Sequence, residues 1–225
     1  MSALALEQVD AGGFRGASFA VGPGELVVLE TASAADADVL LRLLAGSAQP
    51  EAGAIALFGE PLAGIGEERR LVLLARTGVA WADGGCLSNL KAWENILLPL
   101  WYHGDRQAAR REPEVLALLE RLGVERERMP GLLQSLPGRL ELRERRAVGA
   151  AGALLREPEL MIWAETFDGM DTHARTHFIA AARWFHGERP GRATLVLTSD
   201  PGAVGELGAA ARLRQGRDGR VEPWR

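Results

Sequence analysis

The sequence is poor in two residue types that carry much of protein chemistry. Among its 225 residues it has one cysteine, Cys86, and one lysine, Lys91. A lone cysteine cannot form a disulfide within the chain, which favours a reducing compartment. No run of about 18 apolar residues is present to span a membrane, and residues 1–7 lack the basic and apolar segments of a signal peptide. We therefore expect a cytoplasmic protein that meets a membrane only through a partner.

Charge and composition exclude a further class of protein. The formal net charge of −4 argues against nucleic acid as the main partner. The hydrophobic fraction of 47% and the charged fraction of 25% are those of an ordinary globular protein. The length is enough for one large domain or two closely packed lobes.

Residues 30–46 have the context of a phosphate-binding P-loop without its chemistry. A predicted strand over residues 26–29 leads through a turn into a leucine-rich helix, and this order is the setting of a P-loop. A P-loop also needs glycines, so that backbone N–H groups can wrap the phosphates, and a lysine that reaches the outer phosphates. Neither residue type occurs between Glu30 and Gly46. We interpret the stretch as a P-loop scaffold that has lost its nucleotide site.

The start of this helix carries negative charge of its own. Asp36 and Asp38 lie at the N-terminus, where the helix dipole would otherwise favour a bound anion. Ser33, with Asp36 three positions later, predicts an N-terminal capping box, and Gly46 suits the C-cap. We expect the helix to be ordered without any bound anion.

Periodicity and turn signals predict an α/β fold with an inserted helical lobe. Strands are expected over residues 4–9, 17–21, 26–29, 54–58, 72–75, 78–81, 160–163 and 194–197, and helices over residues 34–45, 112–122, 140–155 and 172–185. The first strand alternates like an edge strand. Residues 212–215 and 220–222 predict a closing hairpin.

Several longer segments resemble the nucleotide-binding domain of ABC transporters over nearly the whole chain. They are residues 23–25, 40–46, 58–59, 90–100, 154–160 and 167–171. Several look most like the bacterial, Mla-type branch that powers MCE-type lipid transport. The resemblance implies a single ABC ATPase-like domain. Its P-loop NTPase core, a mixed sheet with flanking helices, would comprise residues 1–82 and 147–225, and its helical subdomain residues 83–146.

The resemblance also places the family's nucleotide contacts, and most of them are replaced here. The P-loop lysine and the two positions after it correspond to Ala37, Asp38 and Val39. The metal-sensing glutamine, the signature serine, the magnesium-binding aspartate and the switch histidine correspond, in that order, to Ala82, Glu141, Ala164 and Ser199. The catalytic glutamate is retained as Glu165. Phe14 is the one aromatic residue left where the family stacks adenine.

These replacements imply a pseudo-ATPase with no cofactor, no metal and no catalytic residue, in which Glu165 is the one retained candidate. Each missing contact is charge-assisted and worth roughly 1.5–3 kcal/mol. The alternative is an active ABC ATPase that binds ATP and Mg²⁺ through substitute contacts, with Glu165 still polarising water. A regulator that never meets a membrane protein also stays open.

Other residue patterns have simpler interpretations. His173 and His177 are one helical turn apart without a third ligand, which favours a solvated face over a metal site. The arginine-rich run at residues 139–146, with its two glutamates, predicts a salt-bridge face on a helix. Cys86 is interpreted as a small packing residue.

Two sets of residues are predicted to face partners. Leu87, Leu90, Trp93 and Trp101 lie where the family docks an integral membrane permease, although the aromatic residues fit a lobe core equally well. Asp168 and Asp171 lie in the segment that resembles the loop facing a second ABC subunit, either another copy or an intact paralogue. The resemblance thus implies a peripheral subunit at the inner face of the cell membrane.

Overall fold

Two β-sheets form the framework of the computed structural model, which describes residues 1–102, 104–105 and 107–224. The smaller sheet is antiparallel, with the order β2 (Phe14–Val21), β1 (Leu4–Ala11), β4 (Ala52–Leu57) and β5 (Glu60–Pro61). The larger sheet has the order β10 (Val221–Pro223), β9 (Ala211–Gln215), β3 (Leu26–Glu30), β8 (Ala193–Thr198), β7 (Leu160–Ala164) and β6 (Thr77–Trp81). Its strands run parallel except β10, which pairs antiparallel with β9 and confirms the predicted hairpin.

The helices of the described residues are α1 (Ala34–Ala45), α2 (Glu67–Ala75), α3 (Ala92–Tyr102), α4 (Glu112–Arg121), α5 (Met129–Gln134), α6 (Leu142–Leu155) and α7 (Thr172–Gly187). None of them is both long and apolar enough to cross a lipid bilayer. Helices α3 to α5 lie in the segment predicted to be the helical lobe. Helix α6 starts in that segment and packs against α3, α4 and β6, so the predicted boundary at residue 147 falls inside a helix.

The central strands of the larger sheet, β3, β7 and β8, are buried on both faces. Val27 and Leu29 of β3 pack in a cluster with α1 and the smaller sheet, whereas Leu26 and Val28 pack in a cluster with the helical lobe and α7. Successive side chains of a strand point to opposite faces. The uninterrupted apolar run of β3 is therefore what a strand covered on both sides requires.

Apolar packing holds α1 in place. Leu40, Leu41, Leu43 and Leu44 are buried, and full burial of a leucine side chain stabilises a fold by roughly 1.5–3 kcal/mol. Gly46 ends the helix at φ +75°, a left-handed conformation that glycine adopts without steric cost. The predicted C-cap is confirmed.

Two predictions about strands are wrong. Residues 72–75, predicted to be a strand, form the end of α2. Short apolar runs fit a strand or a helix equally well by periodicity, and the acidic first turn of α2, at Glu67 and Glu68, favours a helix. The strand at residues 4–9 is not an edge strand, because β2 and β4 pair on its two sides.

Candidate functional site

The N-terminus of α1 is occupied by a carboxylate of the chain itself. Ser33 is the N-cap, as predicted, and its Oγ accepts a hydrogen bond from the Asp36 N–H at 3.3 Å. The Asp36 carboxylate accepts hydrogen bonds from the Ser33 hydroxyl at 2.8 Å and from the Gly13 N–H at 3.0 Å. A full capping box would direct it to the Ser33 N–H instead, so that prediction is confirmed in part. The carboxylate lies where the helix dipole would hold an anionic ligand.

Two backbone donors of the loop before α1, those of Thr31 and Ala32, are also paired within the chain. The Ala32 N–H donates to Gln215 Oε1 at 2.8 Å, and the Thr31 N–H donates to a carbonyl of β8 at 2.9 Å. Gln215 is buried at the end of β9. A Cβ on Gly13 would lie 2.3 Å from Asp36 Oδ1, so glycine is needed for this turn to close over α1. In a P-loop, N–H groups of this kind wrap the phosphates.

The three positions that correspond to the P-loop lysine and its neighbours have other roles. Ala37 is buried in the core, and Val39 is partly buried. Asp38 is exposed and pairs with Arg42 at 2.9 Å. Lys91, the only lysine of the sequence, lies just before α3 and donates to a glutamine of α5 at 2.9 Å. No lysine therefore reaches the start of α1.

Glu165, the retained catalytic candidate, is buried directly after β7. Its Oε2 accepts from Ser199 Oγ at 2.7 Å, and its Oε1 accepts from Thr31 Oγ1 at 3.4 Å. The three residues follow β7, β8 and β3, which are neighbouring parallel strands, so their carboxyl ends bring the side chains together. Burial, and then the neighbouring Asp168, raises the pKa of Glu165 to about 7. The carboxyl group therefore holds its proton more tightly than an ordinary glutamate does.

Asp168 and Asp171, the two carboxylates predicted to face a second subunit, both accept hydrogen bonds from their own chain. Asp168 accepts a hydrogen bond from Thr198 Oγ1 at 2.7 Å. It also accepts from the backbone N–H groups of Ser199 and Asp200, at 3.0 Å each. Asp171 is the N-cap of α7 and accepts from the Ala174 N–H at 2.9 Å. This hydrogen bond lowers the pKa of Asp171. Asp171 is nevertheless exposed.

The N-terminus of α6, at the signature position, repeats the arrangement found at α1. Glu141 is the N-cap and forms a reciprocal capping box with Glu144, whose Oε2 accepts the Glu141 N–H at 3.0 Å. Arg128, just before α5, pairs with Glu144 at 2.6 Å. Two carboxylates of the chain therefore occupy a second helix start whose N–H groups could otherwise bind phosphate.

The prediction that the arginine-rich run forms a salt-bridge face on a helix is wrong. Arg143 does pair with Glu141 at 2.9 Å, but the two are not one helical turn apart. Arg146 is buried and donates to the backbone carbonyls of Ala82 and Asp168. Burial lowers the pKa of Arg146. Its guanidinium group joins α6 to the loops after β6 and β7 and forms no outer face.

Phe14, Ala164 and the histidine pair complete the residues singled out from the sequence. Phe14, the one aromatic candidate for an adenine platform, is fully buried in the apolar core and presents no exposed ring face to a base. Ala164 is buried at the end of β7, directly before Glu165. The rings of His173 and His177 pack edge to face with centroids 4.9 Å apart. Within the described residues, no group of three or more metal-ligating side chains comes together.

A groove of about 300 Å³ lies between β6, the loop after it, α3 and α6. Trp81 and Leu87 line it while remaining 39% and 50% exposed. Of the four residues predicted to dock a permease, Leu87 lines this groove, and Leu90, Trp93 and Trp101 lie outside its lining. Trp93 is partly buried against the lobe core, one of the two roles considered for it.

The same groove contains the single cysteine. Cys86 is partly buried and packs against the core cluster of the lobe, as predicted. Burial raises the pKa of its thiol to about 11. The thiol therefore stays protonated at neutral pH and behaves as a packing group.

Comparisons with known sequences agree with the resemblance at the level of the family. No family model matches the chain. It is 30% identical over 197 residues to the lipoprotein-releasing system ATP-binding protein LolD of Chromohalobacter salexigens, which covers 86% of this chain and 79% of that protein. It is also 30% identical over 206 residues to the Fe(3+) ions import ATP-binding protein FbpC 3 of Rhodococcus jostii, covering 90% of this chain but 56% of that longer protein.

Solved structures agree on the fold. The dimeric structure of MJ0796, a bacterial ABC transporter cassette, matches with a TM-score of 0.83 over 99% of both chains. Its sequence identity of 17% means that this likeness shows the fold alone. The predicted ABC-type P-loop fold, with its mixed sheet and inserted helices, is confirmed. Together with the likeness to LolD over most of both chains, it shows that this chain belongs to the ATP-binding cassette family of ABC transporters.

Proposed function

We propose that this chain is a non-catalytic ABC subunit, a pseudo-ATPase that binds a membrane permease without using nucleotide. The observation that carries the proposal is the Asp36 carboxylate, which fills the start of α1 and is held there by Gly13 and Ser33. A triphosphate is strongly anionic, and a carboxylate at the same place repels it.

Nucleotide binding would also have to displace contacts that the chain already makes. The hydrogen bonds to Asp36 involve a charged acceptor, and such bonds contribute roughly 1.5–3 kcal/mol each. The Ala32 N–H would in addition have to leave Gln215. Ala37 and Ala164, at the lysine and magnesium positions, offer no charge to offset these losses.

The start of α6 supports the same proposal for the other half of a composite site. In the resembling family, the signature of one subunit contacts the nucleotide held by its partner. Here Glu141 and Glu144 present carboxylates at that helix start. Arg128 and Arg143, the arginines beside them, are already paired with these two carboxylates. A phosphate of a second copy, or of an intact paralogue, would therefore have to displace ion pairs at this helix start.

The proposed partner surface is the groove that contains Trp81 and Leu87. A short apolar segment of a permease would cover these exposed side chains, which places the chain peripherally at the inner face of the membrane. The relatives named above are ATP-binding proteins of lipoprotein-releasing and ferric-ion import systems. An MCE-type lipid transporter as the complete assembly stays a prediction.

The test of this proposal is calorimetric titration of the purified chain with Mg²⁺-ATP. We expect no binding at millimolar concentrations, and a dissociation constant in the low micromolar range would overturn the pseudo-ATPase. Purification of the native complex supplies the second arm. A permease among its subunits supports the docking role, whereas a complex without any membrane protein would favour a regulator.

One observation favours an active ATPase as the second candidate. Glu165 is in place after β7, hydrogen-bonded to Ser199 and with a pKa near neutrality, as a general base requires. The relatives are also named as ATP-binding proteins. Glu165→Gln in the assembled transporter separates the candidates, because loss of transport would establish catalysis and unchanged transport would exclude it.

A further inference from the structure

A second cavity, of about 390 Å³, lies between α4, the end of α6 and the end of α7. It shares no lining residue with the start of α1 or with the groove beside β6. Leu118, Leu154 and Trp184 form part of its wall. The lining also contains four arginines and three glutamates, so the balance of charge decides what the cavity can hold.

Arg192 is the unusual group of this cavity. It is 5% exposed, its Nη1 donates to the Phe185 carbonyl, and its guanidinium carbon lies 3.6 Å from the centre of the Phe185 ring. Within the described chain, no carboxylate lies in salt-bridge range of Arg192, and its Nε and Nη2 donate no hydrogen bond. A buried charge without a partner is costly.

The two nitrogens of Arg192 that donate no hydrogen bond are not fully enclosed. Among the described residues, the one fully enclosed side-chain nitrogen or oxygen without a hydrogen bond is Trp163 Nε1. Arg192 Nε and Nη2 therefore keep some exposed surface, and Arg192 belongs to the lining of the cavity. Burial, and then the neighbouring Arg189, lowers the pKa of Arg192, while Glu157 and Glu188 act in the opposite direction and compensate part of its charge.

Arg121, on α4, is a second arginine of the lining without a carboxylate partner. Its guanidinium carbon lies 4.0 Å from the centre of the Trp184 ring, and no carboxylate of the described chain is in salt-bridge range. The other two arginines of the cavity already pair with glutamates. Glu188, the third glutamate, is exposed. The unpaired groups are thus two guanidiniums against one solvated carboxylate.

We propose that this cavity binds a phosphomonoester that carries an apolar group. The planar fork of a guanidinium matches phosphate oxygens and binds them with two parallel hydrogen bonds. A phosphomonoester has nearly two negative charges at neutral pH and so offers an anionic partner to Arg121 and Arg192, which have no salt bridge within the described chain. The wall formed by Leu118 and Leu154 takes the apolar group. This site is independent of nucleotide loss at α1.

The phosphate could belong to a soluble metabolite or to a lipid headgroup, and the probes distinguish the two. The purified full chain is titrated calorimetrically with phenyl phosphate and with inorganic phosphate, and is sedimented with phosphatidate and with phosphatidylcholine vesicles. We expect phenyl phosphate to bind about tenfold more tightly than inorganic phosphate. Retention on phosphatidate vesicles alone identifies a lipid source, and phenyl phosphate binding without retention identifies a soluble ligand.

Three variants assign the binding to the cavity. Arg121→Gln changes an exposed side chain, so it should fold normally and bind phenyl phosphate about tenfold more weakly. Arg192→Gln should abolish binding; if it fails to fold, Arg121→Gln decides alone. Arg126→Gln, which removes the same charge from an exposed arginine outside this cavity, should bind like the wild type. Absence of binding at millimolar phenyl phosphate, or equal weakening by Arg121→Gln and Arg126→Gln, would overturn the proposal.

Discussion

The start of α1 and the groove beside β6 differ in how far their surface groups are engaged by contacts within the chain. At α1 the backbone N–H groups of Gly13 and Ala32 are paired within the chain, with Asp36 and Gln215 as their acceptors. In the groove, Trp81 and Leu87 remain 39% and 50% exposed. Polar groups that are already paired gain little from a ligand, whereas exposed large apolar side chains mark a surface that a partner covers.

This difference distinguishes the contacts that maintain the fold from those that would bind a nucleotide. The framework that positions a loop at the ends of β3, β7 and β8 depends on apolar packing under α1 and on hydrogen bonds within the loop. Neither requires a phosphate. The contacts that hold α1 and its loop in place therefore come from the chain itself.

The largest effect is expected in the groove. Trp81→Ala should weaken binding to the permease that copurifies with the chain by about 2 kcal/mol, roughly thirtyfold, because buried aromatic anchors dominate interfaces. The measurement is a titration of the solubilised permease with labelled chain. Trp101→Ala is the control, because Trp101 is 42% exposed but lies outside the groove. Equal weakening by both variants would show that the groove is not the docking surface.

Two further variants sharpen that result. Trp93→Ala, which the sequence alone would select, should lower the stability of the helical lobe, because Trp93 packs against its core. Glu165→Gln should leave permease binding unchanged. A harmless Trp81→Ala together with a disabling Glu165→Gln would reverse the comparison and make the strand ends the functional surface.

The next effect concerns the carboxylate at α1. Asp36→Ala removes the acceptor of the Gly13 N–H and of the Ser33 hydroxyl, and should lower the free energy of unfolding by about 2 kcal/mol. Asp38→Ala, the matched control, breaks an exposed pair with Arg42 and should cost less than about 0.5 kcal/mol. Urea unfolding measures both. Similar losses in the two variants would mean that Asp36 does not hold the loop.

A smaller effect depends on pH. The pKa of Glu165 is raised from 4.5 to about 7 in the folded chain, so the native state binds this proton more tightly than the unfolded state does. Stability from this group is therefore present below pH 4.5 and is lost as the pH rises towards 7. Glu165→Gln should be more stable than the wild type at pH 8, by about 1–2 kcal/mol. Urea unfolding at both ends of this range should show the gain disappearing at acid pH; a gain independent of pH would contradict the raised pKa.

The smallest expected effect is at the N-cap. Ser33→Ala removes the side-chain acceptor of the Asp36 N–H and should cost about 1 kcal/mol. Ser47→Ala, at the other end of α1, removes an exposed hydrogen bond to the Arg42 carbonyl and should stay within about 0.5 kcal/mol of the wild type. Thermal or urea melts compare the two. An unchanged melt for Ser33→Ala would show that its side chain does not stabilise the helix start.

Local rules were enough to predict several of the elements and the likeness to the family. The apolar run of β3, the leucines of α1, the Ser33 cap and the Gly46 end follow from periodicity and capping rules that act over a few residues. The absence of lysine and glycine before α1 is equally a local fact. The prediction of a strand at residues 72–75 was wrong because four apolar residues in a row fit a strand and a helix equally well.

Tertiary packing determines which groups of the chain meet at the start of α1 and which groups line the cavities. The Gly13 N–H reaches Asp36 across 23 residues, and the Ala32 N–H reaches Gln215 across 183 residues. Most backbone N–H groups of a folded chain find an acceptor, but strand order determines which acceptor lies within reach. Arg192 likewise has no salt-bridge partner because the elements packed around it place no carboxylate within range. Local patterns cannot predict such partners, because the chain brings them together only when it folds.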